Sequence, residues 1–100
     1  MVCEAPLALG SIAVGHDGQL TLGQRTWFHA HLRETTNVPL ALRLQRLDRD
    51  QLVIDYAYRL PVESGHNCLR FELEVRVPAG HYQLSVQGER ILSTGFVEVA

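Results

Sequence analysis

Lysine is missing from this 100-residue chain: all nine basic residues are arginines, set against eleven acidic residues for a formal charge of −2. Without an ε-amine there is no Schiff-base chemistry and no P-loop phosphate grip. A balance of this kind leaves no electrostatic footprint for a polyanion, so nucleic acid is not expected as a partner. Cysteine is almost as scarce, and the two residues Cys3 and Cys68 are too few for a disulfide framework. Glu4 and Pro6 interrupt the apolar residues of the N-terminal segment, so it does not resemble a secretory signal, and the chain reads as reduced, soluble and cytoplasmic. No apolar run approaches the ~18 residues that span a bilayer, and no membrane partner is expected. The HExxH, CxxC and G-x-S-x-G spacings are absent, as is any Gly-rich loop opening a helix, so no cofactor is expected.

What is present is alternation with period two, the pattern of strands with one buried face. With 46% apolar residues the chain is long enough for one packed core, and residues 1–100 are expected to form a single domain. A first strand is expected over Leu7 to Val14, interrupted by Gly10, with a turn at Gly15-His16-Asp17-Gly18. From Thr26 to Glu34, Phe28, Ala30 and Leu32 take the core face, and Trp27, His29, His31 and Arg33 the outer one. Leu40, Leu42 and Leu44 form the next inward row. A helix over Leu40–Leu47 is the competing reading there, since leucine and arginine favour helices. Beyond the short polar connection Asp48-Arg49-Asp50, a further inward row is Leu52, Ile54, Tyr56, Tyr58 and Leu60. Leu69, Phe71, Leu73, Val75 and Val77 then alternate with Arg70, Glu72, Glu74 and Arg76, and Tyr82, Leu84 and Val86 follow the turn Pro78-Ala79-Gly80. Gly88-Glu89 is expected as a two-residue hairpin loop with glycine first, and Gly95 as a bulge or bend in the last strand.

About seven antiparallel strands with turns at regular spacing make an all-β, two-sheet sandwich the expected fold. The run Gly80-His81-Tyr82-Gln83-Leu84-Ser85-Val86 resembles the segment that opens strand F in immunoglobulin-like domains. The resemblance implies that Tyr82 is the corner tyrosine, and that Leu84 stands where the second disulfide cysteine would be. The first cysteine of that family would fall at Ala30 or Leu32, so no inter-sheet disulfide is implied. Leu42 or Leu44 takes the place of the core tryptophan. These departures exclude an antibody-type domain, and the chain is similar instead to the cysteine-free immunoglobulin-like or fibronectin type III-like modules common in bacterial proteins. Fold resemblance of this kind implies no activity.

Two surfaces stand out. Trp27 beside His29, His31 and Arg33 has the composition of an interface anchor, although a bulge or the N-terminal segment covering the ring is an equal reading. The final strand, with Phe96, Val97 and Val99 against one charge, Glu98, reads as an open edge able to pair with another strand. The expected function is therefore a non-catalytic interaction module binding another protein or its own copy. One alternative is a small enzyme inhibitor or phage-type decoy inserting the loops Thr35–Pro39 and Pro61–Asn67. Another is a metal-binding domain in which His29 and His31 supply two ligands, with a third from His16, His66, His81, Glu72 or Glu74. Half-exposed histidines beside carboxylates are the simpler reading, and no metal residue is assigned. If Glu72 and Glu74 lie across from His29 and His31, they favour imidazolium and make the face sensitive to pH. Ser64-Gly65-His66 and His16-Asp17 are neighbours in sequence and do not make a triad, so no catalytic residue is assigned.

Overall fold

The computed structural model describes residues 7–15, 18–61 and 65–100, and among them every regular element is a strand. Two sheets are present. The first has three strands in the order β1-β3-β6, namely Ile12–Val14, Arg25–His31 and Cys68–Glu74. The second has five in the order β2-β8-β7-β4-β5, from Gln19–Leu20, Ile91–Val99, Gly80–Gln87, Ala41–Asp48 and Gln51–Arg59. All pairings are antiparallel except that of β2 with β8. The described residues thus hold eight strands rather than about seven, the two-residue β2 being too short to show a period. The segment expected either as strand or as helix over Leu40–Leu47 is strand β4 from Ala41 onward, with Leu42 and Leu44 opposite Val86 and Leu84 of β7.

The core follows the period-two rows. Phe28 and Ala30 of β3, with Leu32 just beyond it, face Leu42 and Leu44 of β4 and Leu84 and Val86 of β7 in one buried cluster. Phe28 and Phe71 lie directly opposite each other on β3 and β6, their rings stacked with centroids 5.3 Å apart. Leu84 is fully buried, as a disulfide position of the resembled family would be.

Several expectations fail for reasons of position in the fold. The row Leu52, Ile54, Tyr56, Tyr58 and Leu60 is a core row only in part: Leu60 is buried and Ile54 and Tyr58 pack half-buried against the core, whereas Leu52 and Tyr56 are exposed. These residues lie on or beside β5, the edge of the wider sheet, and three strands opposite do not reach far enough to cover it. The first strand is confined to Ile12–Val14. Gly88 does not open a two-residue turn. Its φ is not positive, Gln87 pairs with Ile91 across three intervening residues, and a Cβ at Gly88 would meet Val38 Cγ2 at 2.8 Å. Gly95 is not a bulge either; the register of β7 and β8 shifts between Val86 and Gln87. Glycine is required at 95 because the carbonyl oxygen of Ile12 passes 2.8 Å from where a Cβ would sit. Cys68 is disulfide-bonded, which corrects the expectation of reduced thiols, whereas Cys3 lies outside the described residues. No helix among the described residues is long and apolar enough to cross a membrane.

Candidate functional site

The outer face of the three-stranded sheet is built by the register of β3 and β6. Because Phe28 and Ala30 claim the core, Trp27 and His29 turn outward, and the pairing sets Arg25 opposite Glu74, Trp27 opposite Glu72, His29 opposite Arg70 and His31 opposite Cys68. The expected placement of Glu72 and Glu74 across from the two histidines is therefore incorrect: a guanidinium faces His29, and the arrangement on which pH sensitivity was to rest is absent. The two glutamates are engaged elsewhere, Glu72 accepting from Arg25 Nε at 2.6 Å and Glu74 pairing with Arg76 at 2.7 Å.

Trp27 is 43% exposed, and the Arg70 guanidinium carbon stands 4.5 Å from its ring centroid. This is a cation–π pair at hydrogen-bonding reach of solvent, in which the ring keeps open surface and the guanidinium keeps its donors in water. His29 and His31 are half-buried, and His31 Nδ1 lies 3.0 Å from the Leu7 carbonyl oxygen. Arg33 is exposed at the far end of the face, its side chain laid against Gly10, where a Cβ would come within 2.6 Å of Nε. Trp27, His29 and His31 thus share one side of β3, joined by Arg25 and Arg70, whereas Arg33 lies beyond the end of β3 with its backbone N–H donated to the Leu92 carbonyl oxygen. The alternation of β6 puts Arg70 on the outer face, but setting it and Arg25 beside Trp27 requires the β3–β6 register.

The other predicted surface is placed differently. β8 lies between β7 and β2, so Phe96, Val97 and Val99 are not on an open edge: Phe96 pairs with Gln83, Val97 with Tyr82 and Val99 with Gly80, while Leu20 lies on the other side of Val99. Val97 and Val99 are buried and only Phe96, at 78%, is exposed. Phe96 lines a shallow open groove of about 520 Å³ with Gln45, Leu47, His81, Gln83 and Glu98. Tyr82 donates its hydroxyl to the Pro78 carbonyl oxygen at 2.6 Å. Across the outer face of the same sheet, Arg43 forms a two-pronged ion pair with Asp55, through Nε at 3.0 Å and also through its terminal nitrogen. That pair holds the Asp55 carboxyl below the usual carboxylate range, chiefly by hydrogen bonding.

Among the described residues no group of three or more His, Cys, Asp or Glu side chains is placed to hold a metal ion, and the pair His29 and His31 gains no third ligand there. His16 and part of the loop Pro61–Asn67 lie outside the described residues.

No protein-family model and no curated protein matches the chain. Among solved structures, it is similar in fold to the alkylpurine DNA glycosylase AlkC of Pseudomonas fluorescens bound to DNA containing an abasic site analog. The TM-score is 0.54 at 14% identity, over 93% of this chain and 31% of that one. The chain therefore spans about a third of the length of the glycosylase it resembles, and the likeness is one of fold. It overturns two expectations. The fold is shared with a protein solved on DNA, so the charge balance does not exclude nucleic acid. The reading as a module for another protein or its own copy, with its inhibitor and metal alternatives, likewise gives way, because the similar structure is that of a DNA-bound glycosylase.

Proposed function

We propose that the chain is a nucleic-acid-contacting module, meeting DNA through the outer face of the three-stranded sheet. The observation that carries this reading is Arg70 stacked over the exposed Trp27 ring, 4.5 Å from its centroid. An indole offers a base a stacking surface, and a guanidinium matches phosphate oxygens with a planar fork of donors. Arg25 adds a second guanidinium beside this pair, shared with Glu72, while Arg76 is paired with Glu74. The attraction is thus local to one face of a chain whose total charge is −2. The fold likeness to a DNA-bound glycosylase supports the same reading.

The proposal treats residues 1–100 as one immunoglobulin-like unit. The order β1-β3-β6 facing β2-β8-β7-β4-β5, with β2 parallel to β8, supports this, as does the Tyr82 hydroxyl bond to Pro78. It is a binding role and assigns no catalytic residue.

Fluorescence anisotropy with labelled single-stranded and duplex DNA tests it. Binding is expected at about 50 mM salt, weakening as salt rises to about 200 mM, because phosphate contacts release counterions. The double variant Arg25→Ala/Arg70→Ala is expected to lose most of that binding while keeping the fold by circular dichroism. Wild-type chain that binds neither DNA form better than the double variant at low salt would refute the proposal.

A further inference from the structure

We infer that the Trp27 face takes unpaired nucleotides of single-stranded DNA rather than a duplex, an inference that rests on the nucleic-acid reading above. The reason is shape. A protein reads the major groove of B-DNA only with an element narrow enough for its roughly 12 Å width, such as a helix or a two-stranded ribbon. The face itself is broad: three strands about 4.8 Å apart put roughly 10 Å between the two outer strands before side chains are added. Among the described residues no helix or free two-stranded ribbon projects from it. A duplex can therefore present only its phosphates to Arg25 and Arg70, and its paired and stacked bases stay out of reach of the indole.

A single strand removes that obstacle, because its bases can turn toward the sheet. Trp27 lies on the central strand of the sheet, with β1 on one side of β3 and β6 on the other, and it retains 43% exposure even with Arg70 against its ring. A base stacks on the open aromatic surface, and the adjoining phosphate lies within the arc that the Arg70 and Arg25 side chains sweep. Arg25 already reaches across the face to Glu72, and a phosphate competes with that carboxylate for the same guanidinium. One ring supplies one stacking position, so the contact is short and sequence-tolerant.

The test uses the full chain with a short single-stranded oligonucleotide and the duplex of the same sequence, read by anisotropy and by tryptophan emission. Trp27 is the sole tryptophan, so its emission reports this face alone. The single strand is expected to bind at least about ten-fold tighter than the duplex and to quench that emission, as stacking on an aromatic ring predicts. Trp27→Ala is expected to lower single-strand affinity by about ten-fold without changing the weaker duplex binding, and Trp27→Phe to restore most of the loss. Should Trp27→Ala fold poorly, Trp27→Leu serves instead, with a loss of single-strand affinity and unchanged duplex binding expected. Duplex binding as tight as single-strand binding, or binding that leaves the emission unchanged, overturns this inference while the nucleic-acid reading stands. If neither form binds, both fall together.

Discussion

The hydroxyl of Tyr82 donates to the carbonyl oxygen of Pro78, four residues upstream, at 2.6 Å. It ties the entry of β7 to the strand that carries Leu84 and Val86 into the core. Burial raises the tyrosine's pKa above its ordinary value, which keeps the hydroxyl protonated and donating. Tyr82→Phe preserves the ring but leaves the Pro78 carbonyl without this donor. The expected cost is about 1–2 kcal/mol, the usual range for losing a partly buried hydrogen bond. Urea denaturation measures it, and a midpoint equal to wild type would show that water replaces the hydroxyl at no cost.

The turn between β4 and β5 holds two non-glycine residues in the left-handed region, Arg49 at φ 51° and Asp50 at φ 64°. Asp48 and Gln51 pair around them, so the loop is a two-residue hairpin of the kind that favours Asn-Gly. A side chain in that region costs about 1 kcal/mol or more. Replacing the pair, Arg49→Asn with Asp50→Gly, is therefore expected to stabilise the chain by about 1 kcal/mol. Thermal unfolding of the double variant reads this directly, and a lowered midpoint would mean that the native side chains make compensating contacts.

The rows that became the core, Phe28 with Ala30 and Leu32, Leu42 with Leu44, and Leu84 with Val86, are legible in the sequence because each lies on a strand covered on one face. The same alternation misleads over Leu52 and Tyr56. Period two states which residues share a side, but only the opposing sheet decides whether that side is covered, and here it is too narrow. The last strand misleads similarly, since the partner that removes its free edge is Gln19–Leu20, too short to carry a pattern. For the candidate site, Trp27, His29 and His31 can be grouped by parity alone, while Arg33 falls past the end of the strand. Arg70 cannot, because a shift of two residues in the β3–β6 register would put a glutamate in its place across from His29.

Ser93 is fully buried on β8, and its Oγ has no hydrogen-bond partner among the described residues. A buried hydroxyl without a partner costs about 1 kcal/mol or more in lost hydration. Ser93→Ala removes that group with almost no change of volume and is expected to raise stability by about 1 kcal/mol in chemical denaturation. Destabilisation would indicate that the hydroxyl is satisfied in solution.

The Arg43–Asp55 pair predicts a pH dependence with a definite sign. Hydrogen bonding to Arg43 lowers the Asp55 pKa in the folded chain. A carboxyl whose folded value lies below its unfolded one adds stability that is complete above the unfolded value of about 3.9 and is lost as pH falls through the folded value. The difference in thermal midpoint between wild type and Asp55→Asn should therefore be present at neutral pH and shrink as the solution is acidified below about pH 4. Both groups are open to solvent, so the effect is modest and also falls with salt. A gap that persists unchanged in acid would assign the role of Asp55 to shape rather than charge.

Phe96 and Val97 are consecutive on β8 yet should respond in opposite ways to mutation. Phe96 is 78% exposed beside Gln83, whereas Val97 is 3% exposed opposite Tyr82. Trimming a solvent-facing ring removes few contacts and leaves the pairing with β7 intact, so Phe96→Ser is expected to change stability by no more than about 0.5 kcal/mol. Val97→Ala opens a void between β8 and β7 in the core and is expected to cost about 1–3 kcal/mol. Denaturation of the two variants side by side tests which face of β8 is packed against the core. A truncation after Thr94 tests the placement of β8 inside the sheet. It deletes the half of β8 that pairs with Gly80–Leu84 and with Gln19–Leu20, and the chain is expected to lose its cooperative transition, because both neighbours of the strand are left with unpaired backbone in the middle of the sheet.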